Sequence, residues 1–104
     1  MSDIELLKAY HRAYRKALSI HHKWEDGDEV ELLQQSSELI DAVKPLTDAV
    51  GSDWHRSKNL ERHLKCVRSF LRNGERGSAS TDIDDLIYAD LPALFDELLK
   101  LAEK

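Results

Sequence analysis

The chain has 104 residues, 41% hydrophobic and 34% charged, with 15 Lys and Arg against 20 Asp and Glu for a formal net charge of −5. That length allows one small domain and no second core, and the composition excludes collagen-like, low-complexity and intrinsically disordered chains. No apolar run approaches the roughly 20 residues of a bilayer-crossing helix, the start Met1-Ser2-Asp3-Ile4-Glu5 lacks the features of a secretory signal, and the single Cys66 fits a reducing compartment, so a cytoplasmic protein with no membrane partner is expected.

Glycine and proline are scarce and fall where the apolar periodicity breaks, so they place the element boundaries. Leu6, Leu7, Tyr10, Ala13, Tyr14, Ala17, His21 and Trp24 recur at helical spacing and predict an amphipathic helix over 3–24, with Asp3 and Glu5 at the positive end of its dipole. Glu25-Asp26-Gly27-Asp28 reads as a turn. From Asp28 the series Leu32, Ser36, Leu39, Val43, Leu46, Val50 steps by four and three, the seam of an antiparallel partner, which Pro45 must either kink or end.

Gly51-Ser52-Asp53 predicts a break and an N-cap for a third helix running to residue 72, with Leu60, Leu64, Val67 and Leu71 as its core stripe. Asn73-Gly74 closes it. Residues 74–80 read as a loop, and Thr81-x-x-Asp84 resembles a capping box that opens the next helix. Pro92 then divides the C-terminal segment into a short helix over 81–89 and another over 91–103, capped by Asp90. The expected class is all-α: a small antiparallel four-helix bundle, one domain over 1–104, whose fourth arm is broken near Pro92 so that a fifth short helix results. Trp24 and Trp54 fall at helix ends, where a large ring can close the core.

The net charge conceals four blocks of alternating sign: +3 over 1–24, −7 over 25–50, +4 over 51–76 and −5 over 77–104. In an up-and-down bundle each basic helix lies beside acidic ones, so part of this pattern is intramolecular complementarity that selects topology. At 100° per residue, Lys58, Arg62, Lys65, Arg68, Arg72 and Arg76 fall within an arc of roughly 120° opposite the core stripe of the third helix. Lys8, Arg12, Arg15, Lys16 and Lys23 likewise gather on one side of the first. Such stripes can hold an acidic protein surface or nucleic-acid phosphates. The acidic total and the lack of aromatics along the stripe favour the protein partner.

Catalytic and metal constellations are sparse. His11, His21, His22, His55 and His63 include no pair three or four apart, the spacing by which one helix offers two ligands to one ion, so no metal site and no cofactor is expected. Cys66 lies three residues after His63, but its apolar neighbours mark it as a packing residue. Gly74 and Gly77 lack the strand, lysine and spacing of a phosphate loop. Arg56 and His63 are seven apart on the third helix, so they point the same way beside the apolar arc.

The segment Arg56-Ser57-Lys58-Asn59-Leu60-Glu61-Arg62-His63 resembles the Arg-x4–6-His motif of the HEPN group of small all-α domains, with Ser57 where that group usually carries Asn, Asp or His. The resemblance implies metal-independent RNA cleavage across a dimer interface, with His63 as general base and Arg56 stabilising phosphate charge. The leading expectation is a non-enzymatic helical interaction module, an adaptor, inhibitor or regulatory subunit, that docks an acidic protein surface through its charged faces. Homodimerisation is a further expectation, because small bundles often enlarge their core that way.

Overall fold

The computed structural model describes residues 2–103, apart from the side chains of 76–79. The first helix, α1 (Asp3–His22), starts where the Ser2 hydroxyl accepts the Glu5 N–H at 3.2 Å, satisfying one of the donors a helix start leaves open. It buries Leu6, Ala9, Ala13, Ala17 and Ile20, an alanine-rich stripe that permits close helix approach. It stops two residues before Trp24. There the chain turns, with the Gly27 N–H donating to the Lys23 carbonyl at 2.7 Å, and a Cβ at Gly27 would lie 2.5 Å from that oxygen. The turn tucks Trp24 into the core.

Asp28 caps the second helix, α2 (Glu29–Val50), by accepting the Glu31 N–H at 3.2 Å. Its buried residues are Leu32, Ser36, Leu39, Val43 and Leu46, five of the six expected seam positions, with Val50 half-buried; the Ser36 hydroxyl donates to the Leu33 carbonyl at 2.7 Å. The helix runs unbroken through Pro45. The third helix, α3 (Ser57–Arg72), begins later than Asp53 capping would place it. Residues 51–56 instead form turns in which Trp54 N–H donates to Gly51 and Ser57 N–H to Trp54, and this winding buries the Trp54 ring. Leu60, Leu64, Val67 and Leu71 are its buried stripe, and Gly74, at φ +74°, follows its end.

The expected loop over 74–80 is largely helix. The fourth helix, α4 (Arg76–Asp85), takes in the supposed capping box Thr81 to Asp84, because burying Ile83 against the core outweighs the weak local preference of Gly and Ser. A π-helical turn over Leu86–Asp90 leads without a break into the fifth helix, α5 (Leu91–Ala102). The interruption expected at Pro92 therefore takes the form of a widened turn, with Leu91 N–H donating five residues back to Leu86. Proline has no N–H and its ring crowds the carbonyl four residues earlier; a wider turn relieves both problems. Asp90 has helical φ −69° and ψ −49° and makes no cap bond.

The protein is thus an all-α helical bundle. Sequential helices pack side by side, α1 on α2, α2 on α3 and α3 on α4, while α5 returns against α1 and α2. Their apolar faces merge in one core that includes Leu32, Leu39, Leu60, Leu86, Leu94 and Leu98. Among the described residues no helix is long and apolar enough to cross a membrane.

Tyr10 ties α1 to α5. Its hydroxyl donates to the Leu91 carbonyl at 2.9 Å and its ring packs on Phe95. Burial first, then the nearby Tyr14 and Asp96, pushes the phenol up to about 12. Because the folded value exceeds the ordinary 10.0, the resulting stabilisation is complete below pH 10 and is lost as pH rises through 12. An absorbance titration of the folded protein is expected to show a tyrosinate step near 12 that Tyr10→Phe removes, at a cost of about 1 kcal/mol for the lost hydrogen bond. A wild-type titration lacking that step would contradict the contact.

Candidate functional site

Asp90 follows Leu86 by four residues and Ile87 by three, so it shares the buried face of its own arm. It is 1% exposed, and a carboxylate so placed needs partners. His63 and Arg56 supply them. Imidazole Nδ1 of His63 lies 2.5 Å from Asp90 Oδ2, and a guanidinium nitrogen of Arg56 lies 3.6 Å from Oδ1. The two residues paired by the seven-residue spacing thus do meet in space, on one buried carboxylate.

The other ring nitrogen of His63, Nε2, faces α4, where Asp85 Oδ2 is 3.7 Å away. Asp82 precedes Asp85 by three residues on the same helical face. One His63 ring nitrogen and one oxygen from each of Asp82 and Asp85 lie within 4.8 Å of one another. Comparison with protein-family models, curated proteins and solved structures returned no match. The chemistry of this corner is that of its own groups: a largely buried imidazole, 13% exposed, oriented by a buried acid, with two further carboxylates in front of it. An anionic phosphodiester approaching Nε2 would meet Asp82 and Asp85, whereas a cation would be attracted.

The basic stripes sit elsewhere. On α3, Lys58, Arg62, Lys65 and Arg72 are exposed, and Lys65 bonds Glu61 one turn earlier at 2.7 Å. That contact, with the charge of Lys65, holds the Glu61 carboxyl below the ordinary carboxylate range. Among the described residues, Lys58, Arg62 and Arg72 make no ion pair. Arg68 departs from the expected stripe: it is half-buried, and its Nε is buried without a hydrogen-bond partner among the described residues. Arg76 belongs to α4, and its side chain lies outside the described residues.

On α1, Lys8, Arg12 and Arg15 are exposed, but Lys16 bonds Glu38 of α2 at 2.5 Å and Lys23 bonds Glu31 at 2.9 Å. The Lys16 contact lowers the Glu38 carboxyl below its ordinary range. Complementarity between the first two helices is therefore realised in direct contacts. The main packing of α1 is on α2, and that of α3 on α2 and α4, so the two basic helices lie diagonally and present separate faces.

Beside the α3 cations runs a groove of about 260 Å³ between α2 and α3. Ile40, Val43, Leu60 and Leu64 contribute its apolar lining, and the charged residues along it are Lys44 and Lys65 together with Asp48 and Glu61. Sequence reasoning missed this groove and the acidic side of His63, since each combines residues from two helices. A usable signal was present only for Asp90: an acid in phase with Ile83, Leu86, Leu91 and Leu94.

Proposed function

We propose that the protein is a helical docking module that binds an acidic, amphipathic helix of a partner protein along the α2–α3 groove. The reading rests on one juxtaposition: a groove with an apolar lining, in which Lys44 and Lys65 are matched by Asp48 and Glu61, lies beside the exposed and, among the described residues, unpaired Lys58, Arg62 and Arg72 of α3. A helix laid in such a groove recognises it through apolar anchors spaced by three and four. Acidic residues flanking those anchors would meet the lysines and arginines, giving orientation and a salt-dependent association rate. The free Cys66 is compatible with work in the cytoplasm. RNA cleavage by Arg56 and His63 fits less well, because both contact Asp90 and the accessible side of the imidazole faces carboxylates.

The test is fluorescence anisotropy with a labelled amphipathic helical peptide carrying Leu on one face and Glu on the other. Binding is expected to weaken as salt rises. Arg62→Glu with Lys65→Glu should reduce it tenfold or more, while Lys8→Glu with Arg12→Glu on α1 leaves it unchanged. Equal losses from both pairs would reduce the effect to non-specific charge attraction, and preferential binding of duplex RNA would replace the protein partner with a nucleic acid.

A further inference from the structure

We infer that His63, Asp82 and Asp85 form a site for a divalent transition-metal ion, with Zn2+ and Mn2+ as the fitting candidates, that clips α4 to α3. Three observations converge on it. The donor atoms are one imidazole nitrogen and two carboxylate oxygens drawn from two helices, all within 4.8 Å of one another. Ligands bonded to one ion at about 2.0–2.2 Å stand roughly 3–4 Å apart, so the set needs to close by about 1 Å. Asp85, half-exposed at 51%, has the freedom to make that movement.

The second observation concerns the far side of the imidazole. The His63 Nδ1 contact with the buried Asp90 holds the ring by its inner nitrogen, so Nε2 points at the carboxylates. A metal-bound histidine is commonly held this way, by a carboxylate on its far nitrogen that orients the ring and raises its basicity. The third is electrostatic. Asp82, Asp85 and Asp90 place three carboxylates around one imidazole, and among the described residues the fixed positive charge that an ion pair brings to them is that of Arg56. Mixed nitrogen and carboxylate donors suit Zn2+ or Mn2+, and three protein ligands leave coordination positions for water or a partner's side chain.

Titration of the tag-free protein with ZnCl2 alone, and separately with MnCl2, tests the site. One equivalent of Zn2+ is expected to shift the Nε2 resonance of His63 in a 15N imidazole spectrum. Asp82→Asn with Asp85→Asn should weaken binding at least tenfold in calorimetry. Asp90→Asn should weaken it about 10- to 100-fold through loss of the orienting carboxylate. The inference fails if Zn2+ first perturbs His21, His22 or Cys66, if neither ion binds, or if the double variant binds as tightly as the wild type. Because the wild-type spectrum reports on His63 directly, a variant that folds poorly leaves the site testable.

Discussion

Replacing His63 with alanine is expected to lower the stability of the bundle by about 3 kcal/mol, far more than truncation of a half-buried surface histidine would cost. The loss arises at Asp90 and not at His63 itself. Without the imidazole, a carboxylate that is 1% exposed keeps, among the described residues, only the Arg56 guanidinium at 3.6 Å, beyond hydrogen-bonding distance. An uncompensated buried charge is the costly product of breaking such a pair from one side. Asp90→Ala is milder, because His63 and Arg56 can still reach solvent. The double substitution should therefore cost less than the two single effects added, with a coupling of about 1–3 kcal/mol. Chemical denaturation of the four proteins measures this cycle. A cost below about 1 kcal/mol for His63→Ala, with no coupling, would show that the buried carboxylate draws its stabilisation from elsewhere.

That carboxylate also explains why the site was only half visible in the sequence. The seven-residue spacing of Arg56 and His63 correctly put both on one side of α3, since helical geometry is local. Their common partner lies 27 residues beyond His63 and reaches it only through the fold. Asp90 precedes a leucine and a proline, the local signature of a cap, and local logic therefore assigned it to the backbone. Its true role follows from phase: it continues the stripe that buries Ile83, Leu86 and Ile87. The same limit hid Asp82 and Asp85, because a search for ligand pairs along one helix cannot find a set shared between two.

The helices divide in a similar way. The helices with long apolar repeats, α1 and α2, begin where those repeats put them, although α1 ends two residues early and buries Ala9 and Ile20 in place of Tyr10 and His21, and α2 runs on past the Pro45 that left its end open; the core stripe of α3 lies where its spacing put it. The errors fall where short local signals competed with burial. Asp53 looked like a cap, but the chain winds on to bury Trp54. Gly-Glu-Arg-Gly-Ser-Ala-Ser looked like a loop, but α4 starts within it because Ile83 and Leu86 give that arm a side to bury. The charge blocks were legible as a pattern and ambiguous as a cause. Lys16–Glu38 and Lys23–Glu31 join the first basic block to the acidic one after it, whereas the outer cations of α3 remain turned to solvent.

Pro45 is where the two kinds of reasoning meet most directly, and Pro45→Ala is expected to stabilise the protein by about 1–3 kcal/mol. Proline inside a helix removes one backbone hydrogen bond and crowds the carbonyl four residues earlier, a penalty of about 3 kcal/mol relative to alanine. Here the helix continues for five residues past it, to Val50, and it does so because Val43 and Leu46 are fully buried on either side. Tertiary packing thus holds together a segment whose local preference is to break. Alanine would remove the penalty and leave those core contacts in place, with only the half-buried ring of Pro45 lost. The melting temperature should rise by about 4 °C or more for each kcal/mol gained in a domain of this size. Hydrogen exchange gives the finer reading: the amides around 45–50 should become more protected in the variant, showing that the proline loosens the final turns of α2. An unchanged or lower melting temperature would mean that the ring's own packing, and not only its neighbours', keeps α2 intact.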